Sequence, residues 1–350
     1  MKSLEQIEAR TPVSSAPYVI TQPGAYYLTQ NLTVSSGNGI VIEGLTGVTL
    51  DLNGFTISST ASPVAGEAIF LHNTCSDIII RNGHIAGGVT YSGGTYSGTG
   101  FRSGITAING TLTNVHVTGV TVLGLLIDGI NLGYVNSGVV ESCAISTVGG
   151  NGIIATNAIH SSATTCGMDG ISANSVTDCV GISTGSGAGV NGDTVINSEG
   201  QSSGGSGVQA NRTASNCYGT STSSAGVQAT NASNCYGTSD SGWGVLASVA
   251  NNCYGYSSSY LGVDVADAAS NCYGESGSDY GLLTDSATNC VGKTANPTNR
   301  YALVATIAIG CHAVNSTSTG LGLFATIGNS SYGENASGIS ENVANKYNMP

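Results

Sequence analysis

Four short stretches decide the fold: Asn216-Cys217-Tyr218-Gly219, Asn234-Cys235-Tyr236-Gly237, Asn252-Cys253-Tyr254-Gly255 and Asn271-Cys272-Tyr273-Gly274. Asn289-Cys290-Val291-Gly292 continues the series with one change. A second marker, glycine followed by an aliphatic residue, runs in step with it. It occurs at Gly152, Gly170, Gly189, Gly207, Gly226, Gly244, Gly262 and Gly281, at spacings of 18, 19, 18, 19, 18, 18 and 19 residues. A fixed period of this length marks a solenoid, in which each repeat packs on its neighbours. Within each repeat the two markers alternate apolar and polar residues, the pattern of short strands, and the Ser, Thr, Gly and Asn between them are turn residues. A repeat of 18 or 19 residues has no room for a strand, a helix and two connections. The Leu and Asn pattern of leucine-rich repeats is missing. The period therefore predicts an all-β fold, a single-stranded right-handed parallel β-helix whose coils stack about 4.8 Å apart around a narrow interior of Val, Ala, Cys and Gly.

The composition agrees. Charged residues are 8% of the 350, against a norm of about 25%, and 52 are glycine. The balance of 8 basic and 20 acidic residues gives a formal charge of −12, which speaks against nucleic acid as a partner, because phosphate backbones are held by basic patches. No apolar run is long enough to span a bilayer, so no membrane insertion is expected. Nothing calls for a cofactor. Larger strand residues gather near the start, in Gly39-Ile40-Val41-Ile42, Val48-Thr49-Leu50-Asp51-Leu52 and Ile78-Ile79-Ile80. Residues 87–100, rich in Gly and Tyr without an apolar period, read as a protruding loop. The expected organisation is an N-terminal capping arm over 1–25, its segment Ser3 to Arg10 a short helix, then the β-helix over 26–340 and a polar tail over 341–350.

The stretch Ile20-Thr21-Gln22-Pro23-Gly24-Ala25-Tyr26-Tyr27-Leu28-Thr29, then Asn31-Leu32-Thr33-Val34 and Val48 to Ile57, resembles the opening of bacterial right-handed parallel β-helix proteins of the pectate-lyase-like superfamily. That resemblance implies the scaffold and a setting outside the cytoplasm, and it leaves activity open among lyases, hydrolases, tailspikes, adhesins and surface proteins. The Asn-Thr-Asp, paired Asp, Gly-His-Gly and Arg-Ile-Lys motifs of polygalacturonases do not occur. Nor does any Arg sit beside a cluster of carboxylates, as calcium-dependent pectate lyases require.

Residues at one phase of a solenoid stack in columns. Cys179, Cys217, Cys235, Cys253, Cys272, Cys290 and Cys311 form one, interrupted at Ser198. At a 4.8 Å rise their Cβ atoms are too far apart for good disulfides, so they read as reduced core thiols. Asn216, Asn234, Asn252, Asn271 and Asn289 read as turn amides that satisfy one another. Tyr218, Tyr236, Tyr254 and Tyr273 follow inward cysteines and point outward, either shielding the sheet or offering a stripe of rings to sugars. Trp243 joins them as a ligand-binding candidate.

The residue before each repeat glycine gives a further column, containing Asp128, Asn151, Asp169 and Trp243. Asp128 and Asp169, two rungs and about 9 to 10 Å apart, match the upper spacing of an inverting glycosidase. They are the catalytic candidates, with Arg102, against the plainer reading of Asp before Gly as a turn residue. Asp264, Asp267 and Asp285 on neighbouring coils are the metal candidates, although no metal is expected. The five histidines share no spacing. The leading expectation is a non-enzymatic, secreted or cell-surface scaffold that binds polysaccharide through its tyrosine flank. The alternatives are a polysaccharide lyase or glycoside hydrolase, or a structural protein that self-associates end to end or laterally.

Overall fold

A computed structural model describes residues 10–108, 111–134, 137–297 and 300–349. Strand accounts for 63% of the chain and no helix occurs among the described residues, so the fold is a right-handed parallel β-solenoid of stacked coils. The chain divides into two units, Met1–Thr184 and Gly185–Pro350.

In the first unit the coils are long and unequal: Ile40 pairs in parallel with Ile69, Ile69 with Ile105, Ile105 with Ile130 and Ile130 with Ile153. All five isoleucines are fully buried, and Leu50, Leu71, Ile78, Ile80 and Phe101 fill the rest of a wide interior. Each such side chain contributes about 1.5–3 kcal/mol of transfer free energy. Strand pairing begins before the expected start of the solenoid, since Arg10–Val13 pairs with residues 25–28 and Tyr18–Ile20 with residues 40–42. Arg10 is thus a strand residue. The remainder of the expected helix, Ser3 to Ala9, lies outside the described residues. The segment expected as a loop carries an antiparallel hairpin, Thr90–Ser92 with Thr95–Ser97, turned by Gly93 and Gly94 at positive φ. Two like-handed glycines suit a type I′ turn. Its Tyr96 hydroxyl donates to the Thr165 carbonyl at 2.9 Å, which folds the hairpin back onto the coils.

The second unit is regular. Val208, Val227, Val245, Val263 and Leu282 stack one per coil, followed by Leu303 and Leu323. Each coil has a long strand, such as Val227–Ser233, and a short one, such as Tyr236–Ser239. The long strand bends at a corner, and the corner explains the alternating period. Between Ala210 and Thr213 two residues occupy it, whereas one residue, Thr230, lies between Ala229 and Asn231. The two-residue corner recurs between Val265 and Ala268. The final segment is not a loose tail: Glu341–Tyr347 pairs in parallel with residues 323–329, which extends the solenoid past 340.

Two glycine columns set the cross-section of this unit. Gly219, Gly237, Gly255 and Gly274 lie across the interior from Gly226, Gly244, Gly262 and Gly281, so close that a methyl group on any of the first four would fall on the opposite carbonyl oxygen. The repeat contains two glycines because two backbones meet there. The cysteines sit beside this pinch as buried, free thiols. Cys217 donates to the Ser215 carbonyl at 3.2 Å and Cys235 to the Ser233 carbonyl at 3.2 Å. At the next corner Asn216, Asn234 and Asn252 have φ near 50°, and their amides connect: Asn216 Nδ2 donates to Asn197 Oδ1 at 3.1 Å and Asn234 Nδ2 to Asn216 Oδ1 at 3.1 Å. Asparagine tolerates this left-handed conformation better than most residues, which accounts for its place there.

Candidate functional site

The short strands of the second unit present two outward columns. One is Tyr218, Tyr236, Tyr254 and Tyr273, and the other is Thr220, Thr238, Tyr256 and Glu275. Parallel, in-register pairing places each tyrosine directly over the next. Their ring centroids are 5.1, 4.6 and 5.1 Å apart and adjacent planes agree within 10°. Each inner ring therefore spends both faces on its neighbours, and the flank shows solvent a row of ring edges and hydroxyls. Tyr218 is 43% and Tyr236 39% exposed. At the far end Tyr273 donates to Glu275 at 3.1 Å, and Lys293 holds Glu275 at 2.8 Å. Burial, then the Glu275 carboxylate, push the Tyr254 phenol up to about 12, so that phenol is neutral at physiological pH.

Trp243 lies on another edge of the same unit. Its indole N–H donates to Asp264 at 2.9 Å and its ring meets Tyr260 edge-on at 4.9 Å. Beside it the outward column Gln209, Gln228 and Leu246 and the corner residues Asn211, Thr230 and Ser248 line an open groove of about 360 Å³ across successive coils. No charged side chain lines it.

The catalytic candidates belong to the first unit, where the structure lengthens their column. Asn38, Glu67, Ser103, Asp128, Asn151 and Asp169 occupy equivalent places at or just before the starts of successive strands, and three of them cap the backbone N–H one coil on. Asn38 accepts from Glu67 at 2.9 Å, Asp128 from Asn151 at 2.8 Å and Asn151 from Asp169 at 3.2 Å. The other oxygen of Asp128 accepts from Asn131 at 2.8 Å. Both oxygens of Asp128 thus hold turns, and Asp169 lies one coil beyond the intervening Asn151. Arg102 pairs with Glu67 at 3.3 Å.

Glu67 was not among the sequence candidates. It is 5% exposed, and its second carboxylate oxygen is buried without a hydrogen bond. Burial raises its pKa, with Arg102 and Ser103 opposing and Asp128 reinforcing. Because its side chain is enclosed, it does not reach a substrate; it joins Arg102 to the turn. Its titration has a predictable sign. A raised folded pKa means that the native state holds the proton more tightly than the unfolded chain. The stabilisation is complete below the ordinary glutamate value of 4.5 and is lost as pH rises through the raised value. Subtracting the urea midpoint of a Glu67→Gln variant from that of wild type across this range should give a difference that moves against wild type with rising pH. A flat difference would refute the assignment.

The metal candidates do not converge. Asp264 sits in register between Leu246 and Leu283 and is taken by Trp243, while Asp267 and Asp285 lie at the corner. Among the described residues no group of three His, Cys, Asp or Glu side chains is placed to hold a metal. Basic side chains are largely neutralised by carboxylates on other coils: Arg81 by Asp51, Arg102 by Glu67, Lys293 by Glu275 and Arg300 by Asp279.

These features define a repetitive parallel β-solenoid with hydroxyl-rich side-chain columns. No family model, curated protein or solved structure matches the chain.

Proposed function

We propose that this protein is a non-enzymatic scaffold, secreted or displayed at a cell surface, that binds an uncharged polysaccharide along the short-strand face of its second unit. A distant kinship with the pectate-lyase-like superfamily, carried by the opening stretch from Ile20 to Ile57, is part of the same reading. The supporting observation is the row of four stacked phenols flanked by Thr220 and Thr238. Its rise of about 4.8 Å per coil offers a linear glycan one hydroxyl per rung. Since both faces of the inner rings are occupied, recognition falls to the hydroxyls and exposed ring edges rather than to a sugar lying on a face. Self-stacking also limits the rotamer freedom lost on binding, which would otherwise oppose association.

The test follows from that distinction. A variant with Tyr218, Tyr236, Tyr254 and Tyr273 all changed to Phe keeps the stack and deletes the hydroxyls. At about 1 kcal/mol per hydrogen bond, loss of two or more contacts weakens retention on a polysaccharide array by about tenfold or more. Retention unchanged in this variant and lost with Gln209→Ala and Gln228→Ala would move the site to the groove. Release of new reducing or unsaturated ends by wild type would replace the binding reading with an enzymatic one.

A further inference from the structure

The tyrosine stack has a chemical consequence independent of any glycan. Phenols are readily oxidised by one electron, and two phenoxyl radicals held side by side combine faster than they diffuse apart. Here four phenols stand at 4.6 to 5.1 Å with nearly parallel planes, one coil apart, two of them exposed and two half-buried. We propose that Tyr218, Tyr236, Tyr254 and Tyr273 form an oxidative cross-linking site, at which a haem peroxidase consuming hydrogen peroxide joins neighbouring tyrosines as carbon-carbon linked dityrosine.

In that reaction each of two tyrosines loses one electron to the oxidant and its hydroxyl proton to solvent. At Tyr273, Glu275 already accepts that hydrogen bond. The radicals join at ring carbons ortho to oxygen, and the hydrogen on each joined carbon then moves to its own oxygen, restoring two phenols. The pair loses two electrons and two protons, which reduce one hydrogen peroxide to two waters. Forming the bond requires the rings to swing from face-to-face toward edge-to-edge. Tyr218 and Tyr236 are exposed, and exposed side chains make such rotations within nanoseconds.

The cysteines one residue earlier do not compete well. Cys217, Cys235, Cys253 and Cys272 are at most 3% exposed, and a thiol must be reachable for an oxidant to attack it. Each tyrosine link would close a loop of one coil, restraining the unfolded chain as a disulfide does. The solenoid would thereby gain covalent staples across its rungs without a disulfide.

The experiment treats the whole protein with a haem peroxidase and hydrogen peroxide, and reads biphenol fluorescence together with peptide mass spectrometry. Wild type should yield monomers in which peptides containing adjacent stack tyrosines are joined with loss of two hydrogen atoms. Because the partners are already together, yield per molecule should hold over about tenfold dilution. Combining Tyr236→Phe with Tyr254→Phe leaves the end tyrosines three coils apart and should reduce the links mapped to the stack at least tenfold. Combining Tyr91→Phe with Tyr96→Phe, which removes the hairpin pair at 4.6 Å, should leave the stack links in place. Absence of biphenol, links only between molecules, or undiminished links mapped to the stack in the first variant would each overturn the proposal. Mass mapping of wild type alone decides the matter if a variant does not fold.

Discussion

Gly255→Ala is expected to destabilise the second unit by about 3 kcal/mol or more, at the top of the usual range for overpacking a core. The added methyl would meet the Gly262 carbonyl oxygen and the Val263 side chain. The Gly262 carbonyl is main chain, so no rotamer change relieves that clash. Relief requires the short and long strands to separate, and each strand is tied to coils on both sides. The damage should therefore spread to adjacent rungs, as nearest-neighbour coupling in repeat proteins implies. Amide exchange at Tyr236–Ser239 and Tyr273–Ser276 should accelerate along with that of the mutated coil. Thr220→Ala, an outward change on the same face, should stay within about 0.5 kcal/mol of wild type. Equal stability of Gly255→Ala and wild type would mean that the interior is wider than the structure shows.

That pinch also illustrates what the sequence made legible. Spacing alone identified two glycines per coil and put them in fixed phase, and alternation put Cys inward and Tyr outward. It did not show that the two glycines face each other, because facing depends on where the turns close the coil. The tyrosine row was legible as a column, but the occupied ring faces required the stacking geometry. In the first unit the period fails. Successive isoleucines there are separated by coils of unequal length, so Asn38 and Glu67 could not be aligned with Asp128 although they share its column. The backbone caps made by Asn38, Asp128 and Asn151 show that side chains of this column hold turns. The hairpin at 90–97 did carry a signal, since Thr-Tyr-Ser on both sides of Gly93-Gly94 is two short strands around a glycine turn. Its polar, Gly-rich composition masked that symmetry.

The serine ending each short strand was equally visible and was read as ordinary turn chemistry. Ser257→Ala should show otherwise, at a cost of about 1–3 kcal/mol, the range for leaving buried polar groups without a partner. Ser257 is fully buried; its hydroxyl donates to the Gly242 carbonyl at 2.6 Å and accepts the Tyr260 N–H at 2.9 Å. One oxygen thus closes its own turn and fastens it to the preceding coil. Ser202, Ser221, Ser239 and Ser276 repeat both bonds, through the carbonyls of Gly187, Gly205, Ser224 and Tyr260 and the N–H groups of Gly205, Ser224, Gly242 and Asp279. Alanine deletes the hydroxyl and leaves a carbonyl and an amide facing a space that no other side chain fills. A threonine substitution tests the same point differently: it restores the hydroxyl, and Thr294 already occupies this position one coil after Ser276, donating to the Asp279 carbonyl at 2.6 Å. If urea midpoints rank wild type near Ser257→Thr and both well above Ser257→Ala, the hydroxyl is the stabilising element. If alanine matches wild type, the turns are held by backbone pairing alone.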